Sequence, residues 1–364
     1  MEEGNVIVLQ YALPSYRIDF FERLYRKLGS RFKVYYSPTD MGALTQEKTR
    51  PEWAKCIGQL RAPISGVEWQ EGALSIPIRR GDVVILMGAR SLTNLLTALR
   101  ARLVGAQTIW WGHYWSSTSK NHRFVVRMLL MKLGNALLFY TDQEIEEYRR
   151  GYGARDRRPI GALNNGINVV PIQALRKEYR AADRAKAIVF IGRFTEKSGL
   201  KELLEALADS DLHDVVLEVL GDGPEAPSYR AFAHSLGISD RIIWHGGTVD
   251  EEKIAPVMNR CRLFVYPGGV GLSLIHAMAY GLPAIVHSNR WQHMPEIAAF
   301  SDGETGICFQ QHHVESLVMA IRRAINSENS LDKWSMKCIE RADSVYNTEF
   351  MSRRFVEFID GLLK

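Results

Sequence analysis

The sequence predicts an α/β protein built as two doubly wound lobes, on three observations: its length, its composition and two successive series of alternating strand and helix patterns. At 364 residues the chain exceeds one ordinary core and suits two domains. Hydrophobic residues at 46% and charged residues at 24% are globular proportions, which exclude a disordered or fibrous chain.

The first series opens with a β-rich run at Asn5–Gln10 and a helical pattern over Arg17–Leu28, where Phe20, Phe21, Leu24 and Leu28 share a face. Buried strands are predicted at Phe32–Tyr36, Val83–Met87, Gln107–Trp111 and Ala136–Tyr140, with helices at Ser91–Leu103 and Arg123–Leu133. A second series begins near Ala187. Its strands are Ala187–Gly192, Val215–Leu220, Arg241–Trp244, Leu263–Tyr266, Ala284–His287 and Gly306–Phe309. Helices fall between them at Leu200–Ala208, Tyr229–Leu236, Glu251–Asn259 and Leu272–Tyr280. Such alternation implies largely parallel sheets with helices on both faces. The intervening stretch 164–186 runs from Asn-Asn-Gly into charged, Ala-rich sequence and reads as the linker. This gives an N-terminal lobe over 1–168, joined by a last helix in 348–364, and a C-terminal lobe over 169–347. An interlobe cleft is expected, because ligands of doubly wound sheets bind beyond the carboxyl ends of the strands.

Cys56, Cys261, Cys308 and Cys338 are scattered, which argues against a disulfide framework or a thiolate zinc site and fits a reducing compartment. The acidic start Met-Glu-Glu-Gly-Asn does not read as a signal peptide, and no apolar run approaches the ~20 residues of a membrane span. A cytoplasmic location is expected, peripheral at the inner face of the membrane. The net charge of +5 is uneven: residues 1–170 hold 24 Lys and Arg against 15 Asp and Glu, and the remainder 22 against 26. A basic first half suits an anionic partner, and membrane contact ranks above nucleic acid because no nucleic-acid motif accompanies the charge. Lys120, Arg123 and Arg127 recur at helical spacing beside an apolar face, so residues 120–133 are the expected contact; a core-facing helix with a basic outer stripe is the competing account.

The strongest chemical signal follows the strand ending at Tyr266. Pro267 leads into Gly268-Gly269-Val270-Gly271, which runs straight into the apolar helix starting at Leu272 and Ser273. Glycines allow close backbone approach, and the free amides of a helix start bind anions, a diphosphate above all. A tight turn without a ligand is the competing reading. Arg193 and Lys197 follow the first strand of the same lobe and are suitable cations for a pyrophosphate; a solvated pair would look the same. Gly221 and Gly223, in Leu-Gly-Asp-Gly-Pro, close the second strand, and the missing third glycine disfavours a nicotinamide enzyme. Asp209-Ser210-Asp211 follows a helical run, not a strand, so it is read as a surface loop and no metal is assigned.

Taken in order, Asn165-Gly166-Ile167-Asn168, Gly192-Arg193…Lys197, Gly221-Asp222-Gly223-Pro224, Trp244-His245-Gly246 and Gly269-Val270-Gly271-Leu272…Ala277-Met278-Ala279-Tyr280-Gly281-Leu282-Pro283 resemble the retaining glycosyltransferases of family 4 across roughly residues 160–310. The resemblance implies a GT-B fold and a nucleotide-diphosphate sugar donor, with no metal and no cofactor. Arg193 and Lys197 would neutralise the pyrophosphate, the amides at Gly271, Leu272 and Ser273 would take the distal phosphate, and the strand around Trp244 would border the base. It also implies that His113, just beyond the strand Gln107–Trp111, lies near the donor sugar and supports turnover. Two glutamates of the family motif are replaced here, by Gly268 and His276. His276 retains the means to hydrogen-bond the ribose, whereas Gly268 removes a carboxylate from beside the sugar. Either the sugar is oriented differently or the lobe has lost activity. In the first lobe, Tyr16 and Arg17 stand where many family members have a Gly-Gly turn. They are candidates for acceptor or donor contact, against a capped helix start with a solvated arginine.

The expected activity is retaining hexosyl transfer to an acceptor hydroxyl on a saccharide or lipid-linked acceptor, in bacterial surface polysaccharide or glycolipid assembly. A non-catalytic nucleotide-sugar-binding subunit, and a sugar-nucleotide epimerase or hydrolase of the same fold, are the alternatives.

Overall fold

The computed structural model describes residues 4–38, 51–64, 67–87, 91–115 and 121–363. Two compact units divide the chain, Met1–Asn165 with Thr348–Lys364, and Gly166–Asn347. The crossing therefore lies three residues before the expected 168/169.

In the N-terminal unit, β1 (Val6–Leu9), β2 (Phe32–Tyr36), β3 (Ala54–Cys56), β6 (Val83–Met87), β7 (Gln107–Trp111), β8 (Ala136–Phe139) and β9 (Ile160–Ala162) form a parallel sheet in the order β3-β2-β1-β6-β7-β8-β9. Val6 pairs with Phe32 on one side and Val83 on the other. β1, β6 and β8 are continuous apolar runs because both faces are covered. A small antiparallel pair, β4 (Leu60–Ile64) and β5 (Val67–Gln70), lies outside this sheet.

Helices α1 (Ile18–Leu28), α2 (Leu92–Leu103), α3 (Asn121–Met131) and α4 (Asp142–Arg150) connect the strands, and α12 (Thr348–Leu363) returns to this unit at the end of the chain. Phe355 of α12 meets Phe20 of α1 edge-on at 5.9 Å in a core shared with Trp111. Arg354 forks onto the Asp142 carboxylate at 2.7 and 2.6 Å, a geometry that fixes orientation as well as distance.

The C-terminal unit carries β10 (Ala187–Ile191), β11 (Val216–Leu220), β12 (Ile242–Gly246), β13 (Leu263–Tyr266), β14 (Ala284–His287) and β15 (Gly306–Phe309), parallel throughout, in the order β12-β11-β10-β13-β14-β15. Around it pack α5 (Val170–Leu175), α6 (Leu200–Leu207), α7 (Ala226–Ser235), α8 (Glu251–Arg260), α9 (Leu272–Ala279), α10 (Val314–Ile325) and α11 (Glu328–Ser344). The stretch 164–186, expected to be a linker, is instead largely built into this unit. Tyr179 is buried and donates to the Arg262 carbonyl at 2.6 Å, and the buried Arg184 donates to the carbonyls of Met258 and Cys261. Charged, Ala-rich composition hid these anchors, because the partners that bury them lie far along the chain.

Candidate functional site

The strand order of the C-terminal unit places its switch point between β10 and β13, where the chain winds away in opposite directions and the loops leave a crevice. The loops that follow these two strands meet there. Gly268 N–H donates to the Ser198 carbonyl at 3.2 Å, and Gly269 N–H to the Lys197 carbonyl at 3.3 Å. Gly199 has φ +71°, and a Cβ on it would stand 2.4 Å from the Gly268 nitrogen; one on Gly268 would stand 2.1 Å from the Lys197 oxygen. Only glycines allow the two backbones to come this close. Lys197 and the glycine-rich turn are thus neighbours through their main chains.

Arg193 and Lys197 are both exposed, and neither makes an ion pair among the described residues. Helix α9 begins after Gly271, which offers no side-chain cap. Leu274 N–H turns back to the Gly271 carbonyl at 2.9 Å, whereas the amides of Leu272 and Ser273 find no acceptor among the described residues. This end of the sheet therefore gathers two cations and a helix N-terminus, which all favour an anion.

Sequence reasoning missed the frame behind the loop. Val270 N–H donates to Nδ1 of His293 at 3.2 Å, His293 Nε2–H donates to the His287 carbonyl at 2.8 Å, and Met294 N–H donates to the Val270 carbonyl at 3.0 Å. His287 and His293 stack at 3.7 Å, both buried. Burial, reinforced by His293, pushes His287 down to about 3; burial pushes His293 down to about 4. Neutral rings fit the bonding, since His293 must keep Nδ1 unprotonated to accept from Val270. Glu296, also buried, brings an Oε2 to 3.7 Å from where a Gly271 side chain would begin, beside the positive end of α9. The one local signal was Pro295-Glu296 after the histidines.

Gly221 and Gly223 lie at the end of β11, against the β10 loop. A Cβ on Gly221, at φ +151°, would stand 1.9 Å from the Gly192 oxygen, and one on Gly223 would stand 2.4 Å from the Phe194 oxygen. Phe194 N–H donates to the Asp222 carbonyl at 2.9 Å. These glycines have a packing role that is complete without a ligand. Trp244 on β12 is half-buried, edge-on to Phe194 at 5.9 Å and under the Arg230 guanidinium at 4.7 Å.

His276 occupies the second turn of α9, with its Nε2 2.8 Å from Oε1 of Glu251 at the start of α8. Tyr280 donates its hydroxyl to the other oxygen of Glu251 at 2.7 Å. Burial alone would raise the Glu251 carboxyl, but His276 and Tyr280 more than offset it and hold the group below the usual carboxylate range. His276 thus faces a carboxylate supplied by the neighbouring helix. Asp209 caps the one-turn helix Ser210–Leu212 after α6, and Asp211 pairs with Arg322.

In the N-terminal unit, His113 is half-buried just beyond β7, its ring 4.4 Å from that of Tyr140. Tyr16 is exposed, but Arg17 is not the solvated arginine of the competing reading: it is 4% exposed, because Tyr16, Trp111 and Tyr140 close around it. On helix α3 the side chain of Arg123, like Lys120, lies outside the described residues. Val125, Val126 and Leu129 are exposed, while Arg127 is half-buried and donates to the Tyr114 carbonyl at 3.3 Å. A cavity of about 550 Å³ near Arg31, Lys33 and Arg79 includes Asn5 and Ile7, at the amino end of β1, away from the strand ends that carry His113 and Arg17.

Two Rossmann-like units of this topology define the GT-B architecture of glycosyltransferases. Solved structures agree: the lipopolysaccharide outer core galactosyltransferase WaaB in its apo form matches with a TM-score of 0.68 at 15% identity, over 98% of this chain and 99% of that one. Anabaena HepE in complex with UDP and glucose matches with a TM-score of 0.68 at 13% identity, over 99% and 100%. Residues 171–342, within the C-terminal unit, match the model of the family Glycosyl transferases group 1. Similar curated proteins include the lipopolysaccharide 1,6-galactosyltransferase of Salmonella typhimurium, 27% identical over 37% of this chain and 38% of that protein. The putative colanic acid biosynthesis glycosyl transferase WcaI of Escherichia coli is 23% identical over 52% of this chain and 47% of that protein. The matched stretches thus span about half or less of these relatives.

Proposed function

We propose that the chain transfers a sugar from a nucleotide-diphosphate sugar to an acceptor hydroxyl with retention, in assembly of a bacterial surface glycan or glycolipid. The observation that carries this reading is the meeting of the β10 and β13 loops, which brings Lys197 to the glycine turn at the head of α9. In this reading Arg193 and Lys197 neutralise the diphosphate and the amides of Leu272 and Ser273 bind its distal phosphate. Charge developing on the leaving group meets donors already in place, which is where the rate enhancement arises. These groups take the part that a divalent metal plays elsewhere, so neither metal nor cofactor enters the scheme. Attack by the acceptor on the face of the departing diphosphate lets a phosphate oxygen take the proton, leaving the protein to position and to stabilise charge. His276, steadied by Glu251, holds the ribose, Trp244 borders the base, and His113 attends the sugar.

Thermal stabilisation by UDP, GDP and their sugars tests the donor site: a ligand at 100 times its Kd adds about 2.7 kcal/mol. Slow release of nucleotide diphosphate from the right donor, abolished by Arg193→Ala and by Lys197→Ala, supports the transferase. The absent carboxylate at Gly268 favours one second reading, a nucleotide-sugar-binding subunit. Binding without release for every donor and acceptor assigns that instead.

Peripheral membrane contact belongs to the same proposal, with exposed apolar residues added to its basis. Leu92, Leu99 and Leu103 on α2 are exposed, as are Val125, Val126 and Leu129 on α3. The helices are neighbours, since Asn94, Leu95 and Ala98 line a small cavity with Leu130 and Leu133. No described helix is long and apolar enough to cross a membrane.

A further inference from the structure

Arg17 is a buried charge with no counter-charge. Its exposure is 4%, its Nη1 has no hydrogen-bond partner, and no carboxylate among the described residues lies within ion-pair distance. Fully buried arginines are rare unless paired, because taking a guanidinium out of water must be offset by a partner. Arg184 in the C-terminal unit is also buried, and its Nε and Nη2 lack partners, but its Nη1 donates to two backbone carbonyls at 2.9 Å. Arg17 has only rings: those of Tyr16, Trp111 and Tyr140 lie 5.4, 5.2 and 5.7 Å from its guanidinium carbon. Cation–π contact softens the loss of water but leaves the N–H fork unused.

The position is informative. Arg17 follows β1, which sits beside β6 at the switch point of the N-terminal sheet, and Trp111 and Tyr140 come from the carboxyl ends of β7 and β8. Tyr140 also carries the His113 ring at 4.4 Å. Of the three rings around the guanidinium, Trp111 and Tyr140 are buried and Tyr16 is exposed, so Tyr16 is the side from which a ligand reaches it.

We propose that Arg17 is an oxyanion site of the N-terminal unit and that it takes a phosphate or carboxylate group carried by the acceptor. The donor diphosphate has its own cations in the proposed function, on which this assignment to the acceptor rests. An excess of Lys and Arg over Asp and Glu in residues 1–170, 24 against 15, draws such an acceptor in from a distance.

The test is thermal unfolding of the full chain, with inorganic phosphate, glucose 6-phosphate, glucuronate and glucose as probes, each with and without saturating UDP. The wild type is expected to show a saturable upward shift with phosphate and with one or both anionic sugars, but not with glucose. Arg17→Met should weaken half-saturation at least tenfold and leave the UDP shift unchanged. It should also melt no lower than the wild type in anion-free buffer, because it removes an unpaired buried charge. Arg17→Lys keeps the charge without the fork and should show an intermediate response, which preserves the test if the methionine variant does not fold. Equal shifts with phosphate in wild type and Arg17→Met, or an equal response to glucose and its phosphate, overturn the proposal. So does a methionine variant that melts well below wild type with its phosphate response intact. Loss of the UDP shift in the wild type would count against the donor reading alone, since phosphate binding without UDP still reports on Arg17.

Discussion

Replacing Gly268 by alanine adds one methyl group where two backbones touch. That carbon would stand 2.1 Å from the Lys197 oxygen, 2.5 Å from the Ser198 carbonyl carbon and 2.7 Å from the Ser198 oxygen. All three are main-chain atoms, so no side chain can swing aside. The loops must separate, stretching the hydrogen bonds from Gly268 N–H to Ser198 and from Gly269 N–H to Lys197. Overpacking costs about 1–3 kcal/mol, and each weakened bond adds up to about 1 kcal/mol. A total near 3 kcal/mol in a domain of this size lowers its melting temperature by roughly 6–12 °C. Calorimetry of the Gly268→Ala variant measures this directly, and binding of UDP or GDP should weaken with it because the cations and the helix end move apart. Gly268→Glu, which adds a longer side chain at the same contact, should be at least as unstable and no more active. A Gly268→Ala protein that melts within about 1 °C of wild type would refute the claim that these loops are locked together.

Three further outcomes follow from the geometry. His287 and His293 are neutral in the fold, at about 3 and about 4, against 6.5 when unfolded. Below pH 6.5 the unfolded chain therefore binds more protons than the native one, so stability is full above that pH and falls as pH drops towards 4. The limiting slope is about 1.4 kcal/mol per pH unit for each histidine, and urea titrations of wild type and His293→Gln at pH 4.5 to 7.5 should show the slope diminished in the variant. Glu251→Gln, which loses the charge opposing His276, should raise KM for the donor several-fold with kcat little changed, read from initial rates across donor concentrations. Exchange of Leu99, Leu103 and Leu129 for serine should lower sedimentation with anionic vesicles several-fold without lowering the melting temperature, because these side chains are already exposed.

The parallel strands were legible because burial on both faces writes each as a short apolar run. β2, β6, β7, β13, β14 and β15 begin and end where those runs do. β3 and β9 were not found: each is three residues at a sheet edge, and Ala54-Lys55-Cys56 and Ile160-Gly161-Ala162 carry little pattern. Arg193, Lys197 and the glycine turn could be read because each is a local device, a strand end followed by a few residues. The partnership of His276 with Glu251 could not, because it depends on how α8 lies against α9. Arg17 illustrates the same limit, since its burial is decided by Trp111 and Tyr140, both far along the chain, whereas its neighbours describe an ordinary helix start.

Gly268 and His276 sit in different surroundings. His276 has a carboxylate beside it, Glu251 at 2.8 Å, whose pKa stays low because the histidine and Tyr280 face it. At Gly268 the side chain is excluded by contact with Lys197 and Ser198, and the partner position Gly199 is a glycine for the reciprocal reason. Any larger side chain at 268 would meet the same main-chain atoms, and the close approach ties Lys197 to the head of α9. Gly268 thus reinforces the anion-binding end of the sheet, and the stability and binding measurements on Gly268→Ala test that directly.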